Sequence, residues 1–177
     1  QAISSITIAS GSTTGSATFT PINDSHYDAA VGVGAIFNDE IAIFNIGNNG
    51  QGFCIGETKS VTLNIIDDET APTLALTKSA AVIAENAGTS IILTATLSNA
   101  TFETVTVGLT PTGTATEGAD FTTIPDITIV AGARTGTASF TPTNDTMYET
   151  ATAETAVIAV TSVTGGSATE SGSQAET

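Results

Sequence analysis

The chain has 177 residues, of which 40% are hydrophobic, and 18 acidic side chains against three lysines and arginines give a net charge of −15. This apolar fraction is enough for a folded core and argues against disorder. The negative charge would repel nucleic-acid phosphates and anionic membranes and would attract cations. We therefore expect no nucleic-acid partner and no membrane insertion.

Short runs of alternating apolar and polar residues follow one another along the chain. They begin at Ile6–Ile8 and recur at Val61–Ile65, Ile91–Leu97 and Val105–Leu109, with clusters of Gly, Asn, Asp and Ser between them. A period of two is typical of strands with one buried face. The segment "ETATAETAVIAV" (Glu149–Val160) has some helical character, but its β-branched content favours a strand. The pattern predicts an all-β fold of antiparallel sandwiches.

The chain contains an internal repeat. "ITIASGSTTGSATFTPIND" (Ile6–Asp24) aligns without a gap with "ITIVAGARTGTASFTPTND" (Ile127–Asp145), and 12 of the 19 positions are identical. After an insertion in the first copy, "EIAIFNI" (Glu40–Ile46) aligns with "ETAVIAV" (Glu154–Val160). A repeat length of 121 residues indicates tandem domains, since the units of solenoids are about 20–50 residues long.

The chain is predicted to contain the later part of one repeat unit and most of the next. Residues 1–70 are predicted to form the C-terminal part of one sandwich, which lacks its early strands and closes with "SVTLNIIDDE" (Ser60–Glu69). Residues 71–177 are predicted to form a second sandwich that contains the early strands and lacks the final one. Pro72 restricts the backbone at the step between them.

The order of these motifs resembles the Calx-β domain family. The second copy carries "VIAENAG" (Val82–Gly88), "TATEGADF" (Thr114–Phe121) and "NDTMYETATAE" (Asn144–Glu154), and the first copy supplies the closing "VTLNIIDDE" (Val61–Glu69). The resemblance covers nearly the whole chain. It implies seven-stranded antiparallel sandwiches of the kind found in tandem in bacterial-type extracellular adhesins and fibre proteins, with loops at one end that bind calcium in several members.

The resemblance also implies candidate calcium ligands. Calcium takes about 6–8 oxygen ligands from carboxylates, carbonyls and water, which several loops at one end of a sandwich can supply together. In the first copy the candidates lie in one loop and at the exit of the closing strand, and in the second copy in three loops: Asp24, Asp28, Asp67, Asp68 and Glu69, then Glu85, Asp120, Asp145 and Glu149, with Glu154 as a further candidate.

Two observations leave an alternative open for these acids. Asn23 and Asn144 stand beside Asp24 and Asp145, where calcium-binding members often carry a second acid, and an asparagine removes a charge. Each copy also lacks part of the ligand set within this chain. The alternative is that the acids are solvated residues that cap turns.

No enzymatic activity is expected. His26 is the only histidine, which excludes a histidine-rich metal centre, and the chain has no tryptophan with which to build a sugar-binding cleft. The expected function is a structural or adhesive module of the cell surface or extracellular space, stiffened by Ca²⁺ between domains. The alternative is a carbohydrate- or surface-binding module of a larger secreted protein.

The incomplete repeat units are compatible with two kinds of neighbour. The chain is either a segment of a longer array of adjacent repeats or a subunit that polymerises head to tail with copies of itself. A sandwich without its final strand has an open edge, which a strand from a neighbour can fill by donor-strand exchange into a filament. Gln1–Ala9 is a candidate donor.

Overall fold

The computed structural model describes residues 5–28, 39–45, 60–146 and 153–177. These ranges are all-β, as the alternation predicts, and a single 3₁₀ turn at Glu85–Ala87 is their only helical element. The strands are β1 (His26–Tyr27), β2 (Asp39–Asn45), β3 (Ser60–Ile66), β4 (Thr73–Lys78), β5 (Ile91–Leu97), β6 (Ala100–Thr101), β7 (Val105–Gly113), β8 (Ile127–Ile129), β9 (Thr135–Phe140), β10 (Ala156–Thr164), β11 (Thr169–Glu170) and β12 (Ala175–Glu176).

Two four-stranded sheets are built from residues 73–176. One has the strand order β12-β10-β7-β8 and the other the order β11-β4-β5-β9. All neighbours within these sheets are antiparallel except β11 and β4, which are parallel. Of the alternating runs, Val61–Ile65, Ile91–Leu97 and Val105–Leu109 fall on β3, β5 and β7, whereas Ile6–Ile8 is not in a strand. The segment around Ala156, which had some helical character, falls on β10.

One hydrophobic core lies between these two sheets. It takes Leu74 from β4, Leu93 and Leu97 from β5, Val107 from β7 and Ile127 from β8, all nearly inaccessible to solvent. Along β5 the odd-numbered residues are buried and the even-numbered ones more accessible, because successive side chains of a strand point to opposite faces. Each fully buried Leu, Ile or Val contributes about 1.5–3 kcal/mol to folding. The result is a sandwich-like unit.

The first copy of the repeat shares one close backbone approach with the second but lies in a different environment. A Cβ on Gly15 would lie 2.6 Å from the Thr7 carbonyl oxygen, and a Cβ on Gly136 would lie 2.5 Å from that of Thr128, its repeat equivalent. Ile6, however, is 57% exposed, whereas its equivalent Ile127 is 0% exposed. The described residues of the first copy include no counterpart of the strands that cover Ile127.

β2 and β3 form a two-stranded antiparallel sheet with seven residue pairs, from Asp39↔Ile66 to Asn45↔Ser60. Its aliphatic side chains are largely exposed: Ile41 62%, Ile43 60%, Val61 56% and Leu63 41%. The edge-to-face contact of Phe44 with Phe19, at a ring-centroid distance of 5.3 Å, ties this hairpin to the first copy's repeat segment.

The two copies meet at a short parallel pairing that the sequence did not predict. β1 pairs with β6 through His26↔Ala100 and Tyr27↔Thr101. Tyr27 is 7% exposed, and the His26 imidazole stacks on Phe102 with the ring centroids 4.8 Å apart. This contact joins the end of the first copy's repeat segment to the turn after β5.

Candidate metal site

An acidic triplet, Asp67–Asp68–Glu69, follows β3 directly. Asp67 is fixed by two backbone groups: its Oδ1 accepts a hydrogen bond from the Glu69 N–H at 3.2 Å, and its Oδ2 accepts one from the Asp28 N–H at 3.1 Å. The first bond is the i to i+2 bond of an Asx turn, which ends the strand. The second ties the exit of β3 to the residue that follows β1.

The three carboxylates of the triplet lie close enough together to share one cation. One oxygen from each of Asp67, Asp68 and Glu69 lies within 4.8 Å of the other two, and Asp67 and Glu69 are half-buried. Oxygen ligands of this kind are those that calcium prefers, and carbonyl or water oxygens would complete its coordination. Within the ranges that the structure describes, no other group of three His, Cys, Asp or Glu residues is gathered so tightly.

The crowding of the triplet raises the pKa of Glu69 from its ordinary value of 4.5 to about 7. The largest cause is a hydrogen bond shared with Asp67, followed by partial burial and the negative charges of Asp68 and Asp67. Near neutral pH the three acids therefore hold a proton among them. A divalent cation would displace that proton, so metal affinity should rise with pH and level off above about 7.

The elevated pKa of Glu69 predicts the sign of a pH effect on stability. Between pH 4.5 and about 7 the unfolded state has released the Glu69 proton and the folded state retains it, so the free energy of unfolding falls as pH rises through this window. The variant Glu69→Gln should flatten the profile in metal-free buffer, measured by urea denaturation at intervals of half a pH unit. An unchanged slope in this variant would show that Glu69 titrates normally.

Glu154 offers a second site for comparison in the same pH profile. Its pKa is also raised, first by burial and then by the charge of Asp120 and a hydrogen bond to it. The variant Glu154→Gln should remove a separate part of the slope, because the acid that raises the pKa of Glu154 is Asp120 and not a member of the triplet.

Of the other two candidates of the first copy, the structure brings Asp28 to the triplet and gives Asp24 a different partner. Asp28 donates its backbone N–H to Asp67, so its main chain reaches the site. Asp24 instead binds His26: its Oδ1 accepts the His26 N–H at 2.8 Å and lies 3.5 Å from the imidazole Nδ1. This is the turn-capping role that the sequence left open as the alternative.

The candidates of the second copy form two pairs rather than one cluster. Glu85 accepts a hydrogen bond from the Asp145 N–H at 2.8 Å, and Asp120 accepts one from the Thr116 N–H at 2.6 Å while it lies against Glu154. Glu85, Asp120 and Glu154 all line one cavity of about 440 Å³. Glu149 lies outside the described residues, so its role as a ligand stays a prediction.

No protein-family model, curated protein or solved structure matched the chain. In the part of the chain that the structure describes, no helix is both long and apolar enough to cross a membrane.

Proposed function

We propose that the chain is a non-enzymatic structural module of an extracellular fibre or adhesin, built from tandem Calx-β-like sandwiches and stiffened by calcium where one follows the other. The observation that carries the proposal is the acidic triplet at that junction. Three carboxylates converge between the last strand of the first copy and the first strand of the second, where their mutual repulsion is unfavourable unless a cation neutralises it.

Calcium at the triplet would act on the relative position of the two copies. Asp67 is bonded to the Asp28 N–H, Asp28 follows β1, and β1 pairs with β6 of the second copy. An ion that fixes Asp67 and Glu69 thus fixes the turn between β3 and β4 and its link to β1. Pro72, which is fully buried and accepts the Thr169 N–H at 3.1 Å, anchors the other side of this turn. Stiffness at each junction is the property that a tandem fibre requires.

Calorimetric titration of the chain with calcium tests this proposal. We expect binding of one ion with the wild-type protein and a loss of about tenfold or more in affinity in Asp67→Asn, which removes one ligand charge. The matched control is Glu117→Gln, which removes the same charge from an exposed position of the second copy and should leave the affinity nearly unchanged. Equal affinities for the two variants would place any bound calcium elsewhere.

A further inference from the structure

One edge of the sheet that contains β10 is only partly covered. On one side β10 pairs with β7 over eight residue pairs, from Ala156↔Gly113 to Thr164↔Thr106. On the other side, within the described residues, its only strand partner is β12, which pairs with Ile158 and Ala159, and the Val160 N–H donates to the Gln174 carbonyl at 3.0 Å just before β12. Residues 153–157 have no strand partner on this side among the described residues. β12 is held there by an ion pair of 3.2 Å between Glu176 and Lys78.

The cavity of about 440 Å³ opens beside this edge. Core side chains from both sheets form its floor, among them Leu93, Phe121, Phe140 and Ile158, and Val82 and Ile83 form part of its wall. Its size falls in the range of about 300–1,000 Å³ that is typical of ligand sites. A hydrophobic cavity next to an open strand edge offers both hydrogen-bonding groups and side-chain pockets to an extended segment.

The internal repeat specifies which strand would fit this edge. β2 aligns with the start of β10, so that Phe44 corresponds to Ile158 and Ala42 to Ala156. In the first copy this strand pairs with β3, with Phe44 opposite Val61 and Ala42 opposite Leu63. The same register on β10 puts Val61 opposite Ile158 and Leu63 opposite Ala156. β12 already occupies the first two positions of this register in the same direction, because Ala175 lies opposite Ala159 and Glu176 opposite Ile158.

In this register the aliphatic side chains of β3 point into the cavity. Residues directly opposite each other in an antiparallel pair have their side chains on the same face of the sheet. Ile158 is 3% exposed and Ala156 packs against the core, so the face that they share is the inner one. Val61, Leu63 and, two residues on, Ile65 would therefore enter the cavity, while Thr62 and Asn64 would face outward.

We propose that the cavity beside β10 is the acceptor site for β3 of a second copy of this chain. The donor β3 would leave β2 of its own chain and pair with β10, the repeat equivalent of β2, in the acceptor chain. This inference deepens the proposed fibre role and rests on it. The donor is chosen because β3 leaves Val61 and Leu63 56% and 41% exposed in its own chain, whereas the acceptor edge would bury them. Donor and acceptor are different surfaces of one chain, so the contact is heterologous and extends into a filament unless it closes into a ring.

Repulsion between acidic side chains opposes this docking and sets how its affinity depends on ionic strength. The acids that follow β3 would approach the end of the cavity where Glu85, Asp120 and Glu154 lie. Screening weakens repulsion between like charges, so the affinity should increase with ionic strength. Most ion-pair contacts show the opposite dependence.

A peptide with the sequence Thr58–Glu69 tests the proposal on the intact chain, in buffer with a calcium chelator. We expect binding, with slower amide hydrogen exchange at residues 154–158. The peptide variant Leu63→Asp should bind about tenfold or more weakly, because it places a charge in the apolar cavity. Removal of residues 175–177, which takes away the competing strand β12, should raise the affinity of the wild-type peptide severalfold.

Three outcomes would overturn the proposal. The first is equal affinity of the wild-type and Leu63→Asp peptides, and the second is protection at residues other than 154–158. The third is preferential binding of a Gln1–Ala9 peptide, the other candidate donor, at this site. Since every measurement is made without calcium, failure of the acceptor site and failure of the calcium junction give separate results.

Discussion

The variant Ile127→Ala is expected to lower the free energy of unfolding by about 2–5 kcal/mol, whereas Ile6→Ala, at the equivalent position of the repeat, should change it by no more than about 0.5 kcal/mol. Ile127 lies on β8 with 0% exposure inside the core between the two four-stranded sheets, so truncation leaves a cavity. Ile6 is 57% exposed, and water already contacts the atoms that truncation would remove.

Urea denaturation, monitored by circular dichroism, measures the difference in unfolding free energy between these variants. The two substitutions are chemically identical and lie in aligned sequence, so the comparison reports on the structural environment of each side chain: Ile127 is buried on β8, and Ile6 is exposed and outside the strands. The dependence of the unfolding free energy on urea should stay the same in Ile127→Ala if the variant changes stability alone. Equal losses in the two variants would mean that the first copy buries Ile6 in solution as thoroughly as the second buries Ile127.

The sequence predicts the strands of this chain better than their burial. Alternation identifies the strand that contains Leu63 as readily as the one that contains Leu93, because a period of two depends on local order alone. Yet Leu93 is 2% exposed and Leu63 is 41% exposed. The difference comes from which strands lie across from each one, and that is decided by residues far away in the chain.

The same limit applies to the candidate metal site. Adjacent acids such as Asp67, Asp68 and Glu69 can be recognised as a group because their spacing is fixed by the backbone. Acids from separate loops, such as Glu85 and Asp120, were predicted to converge from a family pattern, and the structure gives each its own backbone partner. The pairing of β1 with β6 had no signal in the sequence, since two-residue strands are too short to show a period.

Calcium is expected to raise the melting temperature of the chain. An ion that binds only the folded state adds about 2.7 kcal/mol to the free energy of unfolding when its free concentration is 100 times the dissociation constant. For a chain of this size, about 2–4 °C accompanies each kcal/mol, so the midpoint should rise by about 5–10 °C. The measurement is a thermal melt in calcium and in chelator at pH 7.5, where the raised pKa of Glu69 leaves most of that carboxylate ionised.

Two controls assign the stabilisation to the junction. The double variant Asp67→Asn/Asp68→Asn should melt at the same temperature with calcium and with chelator, because the triplet then keeps a single charge. In chelator this variant loses the repulsion among the three acids, but it also loses one hydrogen bond, because Asp67 uses one oxygen for the Glu69 N–H and the other for the Asp28 N–H and an asparagine has a single acceptor oxygen. The comparison that assigns the calcium effect is therefore between calcium and chelator within each variant. Magnesium should stabilise the wild type less than calcium, since its smaller octahedral shell tolerates irregular carboxylate geometry poorly. A wild-type midpoint that is the same with calcium and with chelator would leave the triplet as a turn without a metal, and the stiffness of the junction would then rest on Pro72 and the β1–β6 pairing alone.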